Sequence, residues 1–255
     1  MKSGLTHRVT VIMPAYELED RIAEAIGKVE KAMSLLGDEY EIIVVDDGSR
    51  DGTYRRALTH GENPRVKVFR HRINLGKGAA IKTGVMNATG EYTVFLDADM
   101  DIDPRGLKTL IKALESCDLV VCSKRHPASV YRAPFIRKLL SISFNIVVKL
   151  LMGIRLGDTQ TGFKAFRTEA LRRIMGVIVV KRYAFDVEVL ALANMLKMRI
   201  MEAPVYIEQR SMFRFKAAMQ MLLDLMGIFY RLRIVRWYQK NMDKQNPKYK
   251  PVSLL

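Results

Sequence analysis

The chain has 255 residues, 49% hydrophobic and 27% charged, which excludes a disordered or collagen-like polypeptide and leaves room for a full core. Its formal net charge of +15 is one-sided: residues 1–123 hold 17 basic and 19 acidic residues, whereas residues 124–255 hold 25 basic and 8 acidic. Such a second half calls for an anionic partner, whether nucleic acid, an anionic membrane surface or a phosphorylated ligand. Two cysteines, Cys117 and Cys122, are too few for a disulfide scaffold or a thiolate metal site; in and beside an apolar run, they read as buried free thiols.

In chain order, residues 9–13 form a β-branched run that stops at Pro14 and predicts a first strand. Ile22, Ala25, Ile26, Val29 and Met33 fall at helical spacing and predict a helix over 18–36. A second strand over 41–45 breaks at Asp46-Asp47-Gly48-Ser49, and Asp51-Gly52-Thr53 opens a short helix to about residue 60. Residues 66–69 make a third strand, and the turn Asn74-Leu75-Gly76-Lys77-Gly78 leads into a helix to 88. The fourth strand, 92–96, stops at Asp97-Ala98-Asp99; a helix from Pro104 to 114, with Asp103 placed to cap it, precedes a fifth strand at 119–122. Strands alternating with helices predict an α/β fold with a mostly parallel sheet flanked by helices. Ligands of such sheets bind beyond the carboxyl ends of the strands, and three of those ends carry Pro14-Ala15-Tyr16, Asp46-Asp47 and Asp97-Ala98-Asp99.

Beyond residue 123 the pattern changes. Residues 135–152 and 212–238 are apolar segments flanked by Arg and Lys, and read as amphipathic helices lying in a membrane interface. Neither can span a bilayer: the longest run without a charge is ten residues, 139–148, against the roughly 20 required. With no signal-peptide core near residue 1, the expected location is the cytoplasm, peripheral on a membrane face. The expected division is a catalytic unit over 1–211 that includes an interfacial helix at 134–152, an amphipathic helix over 212–240, and a basic tail over 241–255.

Asp97, Asp99 and Asp101 alternate after an apolar strand, so in an extended segment all three carboxylates face one point. A divalent cation, Mg²⁺ or Mn²⁺, relieves the repulsion; the plainer reading is an acidic helix cap. Asp46 or Asp47 can accept hydrogen bonds from a base or ribose. Lys77, at a helix start behind Gly76, offers a modest anion site.

Together these motifs resemble the inverting family 2 glycosyltransferases of the GT-A (Rossmann-like) fold. They are carried by residues 11–16, Asp46-Asp47-Gly48-Ser49-Arg50-Asp51-Gly52-Thr53, Asn74-Leu75-Gly76-Lys77-Gly78 and Asp97-Ala98-Asp99. Asp158-Thr159-Gln160-Thr161-Gly162-Phe163-Lys164 followed by Phe185-Asp186-Val187-Glu188 narrows the resemblance to the polyprenyl-phosphate hexose synthases, the dolichyl-phosphate mannose synthases and glucosyltransferases. The likeness reaches to about residue 216. It implies that Pro14, Tyr16 and Asp46 hold the nucleoside with Asp47 beside them, and that Asp97 and Asp99, with Asp101 as third ligand, hold the metal. Lys124, Arg137 and Ser141 would grip the acceptor phosphate, and Arg210 and Lys216 would close over the phosphates. Asp158 lies where relatives with hydroxyl acceptors have their base; here it would orient the sugar or neighbouring cations, so Asp99, Asp158 and Arg210 are the candidate catalytic residues. The chain departs from the family at Glu17-Leu18, at Lys124 in place of Arg, and at residues 212–215, which lack the family's Gly and Ser.

The reaction implied is transfer of a hexose from GDP-mannose or UDP-glucose, mannose being favoured, to a dolichyl or polyprenyl phosphate. A separate membrane-anchoring protein is a possible partner. The rival enzyme reading is transfer to a glycan hydroxyl with Asp158 as base. A basic nucleic-acid-binding protein is the remote alternative, disfavoured by the acidic clusters at strand ends.

Overall fold

A computed structural model describes residues 7–37, 39–182, 184–208 and 215–242. The first half runs β1 (Val9–Ala15), α1 (Ile22–Ser34), β2 (Tyr40–Asp46), α2 (Thr53–Leu58), β3 (Val66–Arg70), α3 (Lys77–Asn87), β4 (Tyr92–Phe95), α4 (Leu107–Ala113) and β5 (Leu119–Cys122). The second continues with β6 (Val130–Arg132), α5 (Phe135–Met152), β7 (Lys164–Arg167), α6 (Thr168–Val177), α7 (Phe185–Met195), β8 (Ile200–Ala203), β9 (Tyr206–Glu208), α8 (Phe215–Phe229) and α9 (Trp237–Met242). The alternation read from the first half is present, with boundaries moved by local hydrogen bonds. The first helix starts at Ile22 rather than residue 18, because Leu18 N donates to Thr53 Oγ1 (2.7 Å) and Glu19 N to Asp51 Oδ2 (3.2 Å), tying this segment to the next turn. Asp103 does cap its helix end, accepting from Arg105 N at 2.9 Å.

The main sheet has the order β3-β2-β1-β4-β7-β5-β8. It is parallel except for β7, which runs against both β4 and β5. Alternate residues of the strands feed two cores: Ile12, Ile43 and Phe95 pack with Ile81, Val85, Leu171 and Leu190 on one face, and Val11, Met13, Ile42 and Val44 pack with Ile22, Ile26 and Leu110 on the other. Covered on both faces, the strands read as continuous apolar runs, which is why periodicity found them. The short strands β6 to β9 carry no such run. β7 begins with Lys164, which is fully buried, and β6 pairs with β9 in a separate parallel ribbon.

The second long helix read from the sequence is interrupted. It ends at Phe229, continues as a π-helical turn over Tyr230–Ile234, and breaks at Arg236, whose left-handed φ of 51° ends the turn before α9. Nor is it an appendage: Leu225, Ile228, Leu232 and Tyr238 belong to the same core as α6 and α7. Its other side, with Met219, Leu222, Leu223 and Met226, is exposed. The exposure is larger on α5, where Phe135 and Leu150 are each 79% accessible and Asn145, Val148 and Met152 face inward. Among the described residues no helix is long and apolar enough to cross a membrane. Cys117 and Cys122 are buried free thiols, and burial pushes Cys122 up to about 12.

Candidate active site

Parallel register sets Ala15 beside Asp46 and Ile12 beside Phe95, so the turns after β1, β2 and β4 meet at one edge of the sheet. There they enclose a cleft of about 480 Å³ lined by Pro14, Tyr16, Asp47, Lys77, Asp97 and Asp99, all singled out in the sequence, and by Arg182, which was not. Two residues beside the cleft hold left-handed backbone without being glycine, Glu17 (φ 51°) and Met100 (φ 61°). Such conformations cost of order 1–3 kcal/mol and cluster at functional sites.

The adjacent carboxylates of β2 face different ways. Asp46 is fully buried and its Oδ1 accepts from both the amide (3.1 Å) and the hydroxyl of Ser49. Its Oδ2 lies 3.1 Å from Arg70 Nε, an ion pair without hydrogen-bond alignment. Asp46 thus shapes the turn and does not line the cleft. Asp47 accepts from Leu75 N (3.0 Å), Gly76 N (2.7 Å) and His71 Nδ1 (2.7 Å), so it pins the turn that presents Lys77. Gly76 has φ 99°, and a Cβ there would collide with the Lys181 carbonyl.

Lys77 stands at the centre of a charge ladder. Its Nζ lies 2.8 and 2.9 Å from the two oxygens of Asp97 and 3.4 Å from Asp186, and Asp186 in turn is 2.6 Å from the buried Lys164 Nζ. Burial alone would lower the Lys77 ammonium, but Asp186 and Asp97 overcome it and keep it charged well above the usual lysine range. Antiparallel β7 starts beside the end of β4, which brings Gly162 so close to Asp97 that a Cβ would overlap its carboxylate.

The three aspartates expected to converge do not. Left-handed Met100 breaks the extended alternation; Asp101 is absent from the cleft lining, and its carbonyl accepts from Glu208 N at 3.2 Å. Among the described residues no three His, Cys, Asp or Glu side chains form a ligand set. Asp97 and Asp99 remain as a pair of hard oxygen donors. Burial, and then the charges of Asp97 and Asp101, raise the Asp99 carboxyl to about 6, a repulsion that a divalent cation would relieve. The donor chemistry therefore fits one hard cation held by two carboxylates and ligand oxygens.

The residues expected to take the acceptor phosphate gather elsewhere, around the turn after β5 and the start of α5. Lys124 Nζ lies 3.3 Å from Asp158 and 5.6 Å from the Tyr131 ring, while Lys138 lies 5.8 Å from the same ring. The charge of Arg137 acts on the Tyr131 phenol. Ser141 Oγ is 3.4 Å from Arg125 Nη2, and Arg125 also donates to Ser141 O (2.9 Å) and Gly157 O (2.6 Å). Arg125 and Tyr131 were missed because nothing local marks them; they matter through contacts made across the fold. Arg210 lies outside the described residues, and for Lys216 only the backbone, in α8, is described.

Asp158 is 1% accessible and fully engaged, accepting from Thr161 Oγ1 (2.6 Å), Gln160 N (2.9 Å) and Lys124 N (3.2 Å). Burial would raise its carboxyl, but Lys124, Thr161 and these amides outweigh burial and hold it at about 2. A carboxylate so held has little affinity for a proton near neutrality and is a poor general base. Its geometry is that of a group orienting Lys124.

Comparison with known proteins identifies the family. Residues 10–175 match Glycosyl transferase family 2, and the chain belongs to that family. It is a glycosyltransferase whose sheet ends in an acidic cleft. It is 32% identical over 252 residues to a dolichyl-phosphate beta-glucosyltransferase of Dictyostelium discoideum, covering 91% of this chain and 77% of the relative. To the Homo sapiens dolichyl-phosphate beta-glucosyltransferase it is 32% identical over 261 residues, covering 94% and 81%. An undecaprenyl-phosphate mannosyltransferase of Micrococcus luteus is 30% identical over 211 residues, covering 80% and 85%. In fold, the chain resembles glucosyl-3-phosphoglycerate synthase of Mycobacterium tuberculosis, solved with Mn²⁺, UDP-glucose and phosphoglyceric acid, with a TM-score of 0.67 at 20% identity over 88% of this chain and 79% of that one.

Proposed function

We propose that this protein transfers glucose from UDP-glucose to a dolichyl or polyprenyl phosphate, with inversion, on an anionic membrane surface. The observation that carries the reading is the meeting of Tyr16, Asp97 and Asp99 in one cleft of a chain whose exposed helix α5 presents Phe135, Ile146 and Leu150 to the outside. The sugar is drawn from the glucosyltransferase relatives, against the mannose preference of the sequence reading.

The attacking group is a phosphate oxygen, anionic at neutral pH, so it needs positioning rather than a base. It forms a bond to the anomeric carbon as the bond to the nucleoside diphosphate breaks, and a single displacement inverts that carbon. Tyr16 and Pro14 bound the nucleoside end of the cleft. Asp97 and Asp99 would hold Mg²⁺ or Mn²⁺, in keeping with the Mn²⁺ complexes of the structural relative. When bound, that cation supplies charge for the departing diphosphate. Lys124, Arg137 and Ser141 would receive the acceptor phosphate, with Arg210 and Lys216 as further cations. Asp158 orients Lys124, which removes support from the glycan-hydroxyl reading.

The exposed apolar faces of α5 and α8, flanked by cations, suit the acyl–headgroup boundary. We place them on the cytoplasmic leaflet, whose anionic lipids complement the basic second half.

The test is incubation of the purified protein with polyprenyl phosphate and either radiolabelled UDP-glucose or radiolabelled GDP-mannose. We expect label from UDP-glucose in a lipid that is acid-labile and stable to mild alkali, formed only when polyprenyl phosphate is present. Label from GDP-mannose alone would overturn the sugar assignment, and transfer without polyprenyl phosphate would overturn the acceptor.

A further inference from the structure

Among the described residues two cations line the cleft, Lys77 and Arg182. Lys77 is already neutralised, since both Asp97 oxygens lie within 2.9 Å of its ammonium and Asp186 lies 3.4 Å from it. Arg182 is exposed and, among the described residues, makes no ion pair. An exposed arginine is unremarkable alone, but the backbone that carries this one is held at several points. Val179 N and Val180 N donate to the buried carboxylate of Glu188, at 3.2 and 2.7 Å. The Lys181 carbonyl accepts from Gly78 N at 2.8 Å, and the Arg182 carbonyl accepts from Phe185 N at 3.1 Å.

The side-chain stem is constrained as well. Gly76 lies so close that a Cβ there would fall 2.9 Å from Arg182 Cγ. The turn carrying Gly76 is fixed by Asp47, and Asp47 lines the same cleft. The guanidinium is thus carried over the lysine-bearing turn by a clamped segment, with its charge uncommitted. A guanidinium presents parallel N–H donors that match the oxygens of a phosphate, and pre-organising it reduces the entropy lost on binding.

We infer that Arg182 binds the diphosphate of the nucleotide-sugar donor and stabilises the negative charge that builds on it as the sugar leaves. The inference rests on the nucleotide-sugar reading above and adds to it a residue outside the motifs that identified the family. Lys77, by contrast, is committed to holding Asp97 and Asp186 in place.

The experiment is calorimetric titration of the full chain, with Mn²⁺ present, using UDP, UMP and uridine, on the unaltered protein and on Arg182→Ala and Arg182→Lys. A charge-assisted hydrogen-bonded pair sets the expected loss at about ten- to one-hundredfold in UDP affinity for Arg182→Ala. Uridine affinity should stay within about twofold, and UMP should fall in between. Arg182→Lys should recover part of the loss, because it keeps the charge without the paired donors. Equal UDP affinity in the unaltered protein and Arg182→Ala would overturn the inference, as would a loss of equal size for uridine. Failure of the unaltered protein to bind UDP at all would instead sink the donor assignment. The substitution removes an exposed side chain, so an unchanged melting temperature verifies folding.

Discussion

The carboxyl edge of the sheet and the outer face of α5 present opposite surfaces. At the sheet edge nearly every charge has an opposite within reach: Asp46 with Arg70, Asp97 with Lys77, Asp186 with Lys164. On α5 and α8 large apolar side chains face outward with cations on the flanks, and few acidic residues balance them. The difference shows what a net charge measures. Charges paired inside the fold cancel in the sum, and what remains is available to an outside ligand. The near-neutral half pairs its carboxylates around a cleft, whereas the basic half pairs some of its cations internally and carries an excess that its few carboxylates do not balance.

If the two surfaces are separable, variants should strike one and spare the other. The largest effect is expected for Asp99→Asn, which removes the negative charge of one of the two carboxylates proposed to hold the cation. Turnover should fall roughly 100- to 1000-fold, while binding to anionic vesicles, measured by co-sedimentation, stays unchanged. Loss of both together would show that cleft and membrane face are one unit. The converse variant, Leu139→Glu with Ile146→Glu, places charge on side chains that are 53% and 51% accessible. Vesicle partitioning should fall by about tenfold or more, with melting temperature and UDP affinity unchanged. Undiminished partitioning would remove α5 from the membrane.

Asp158→Asn probes a buried pair within the basic half. Leaving Lys124 without its counter-charge should cost about 3–5 kcal/mol of stability in urea unfolding, as for a broken buried pair. Below the unfolding midpoint, however, turnover should persist at a reduced level; complete loss with a native fold would restore Asp158 as a base. Its pH signature follows from a carboxyl held at about 2 in the native state against an unfolded value near 4. The native state binds fewer protons there, so a contribution of about 2 kcal/mol is present above pH ~4 and is lost as pH falls through 2. The asparagine variant should show that part of the acid dependence flattened.

The smallest effect is expected for Tyr238→Phe. The Tyr238 hydroxyl donates to Glu188, the carboxylate that also holds Val179 and Val180, so α9 is tied to the segment leading to Arg182. Its removal should cost about 1 kcal/mol in denaturant unfolding and weaken UDP binding by less than Arg182→Ala does. A stability loss with no change in UDP binding would confine Glu188 to a packing role.

The sequence by itself determined the first five strands, the turns at three of their ends, two of them acidic, and the family, because central strands covered on both faces need long apolar runs and their sharp ends need Asp, Gly and Pro. It likewise marked α5 as a two-faced helix. What only the tertiary structure decided lies in contacts between distant positions. β7 escaped notice because Lys164 opens it, and that lysine is acceptable in the core only beside Asp186, far along the chain. Local spacing pointed Asp97, Asp99 and Asp101 at one target, yet left-handed Met100 interrupts the extended alternation, and among the described residues the three form no ligand set. Asp46 and Asp47, adjacent in sequence, were assigned to opposite duties by which partners the sheet brought to each. Arg182 had no signal of its own, since an exposed arginine in a short turn looks like any other until Gly76, Glu188 and the cleft are seen around it. Periodicity and turn chemistry are local and survive in the chain as written; charge pairing and burial depend on which residues meet, and only the folded molecule fixes that.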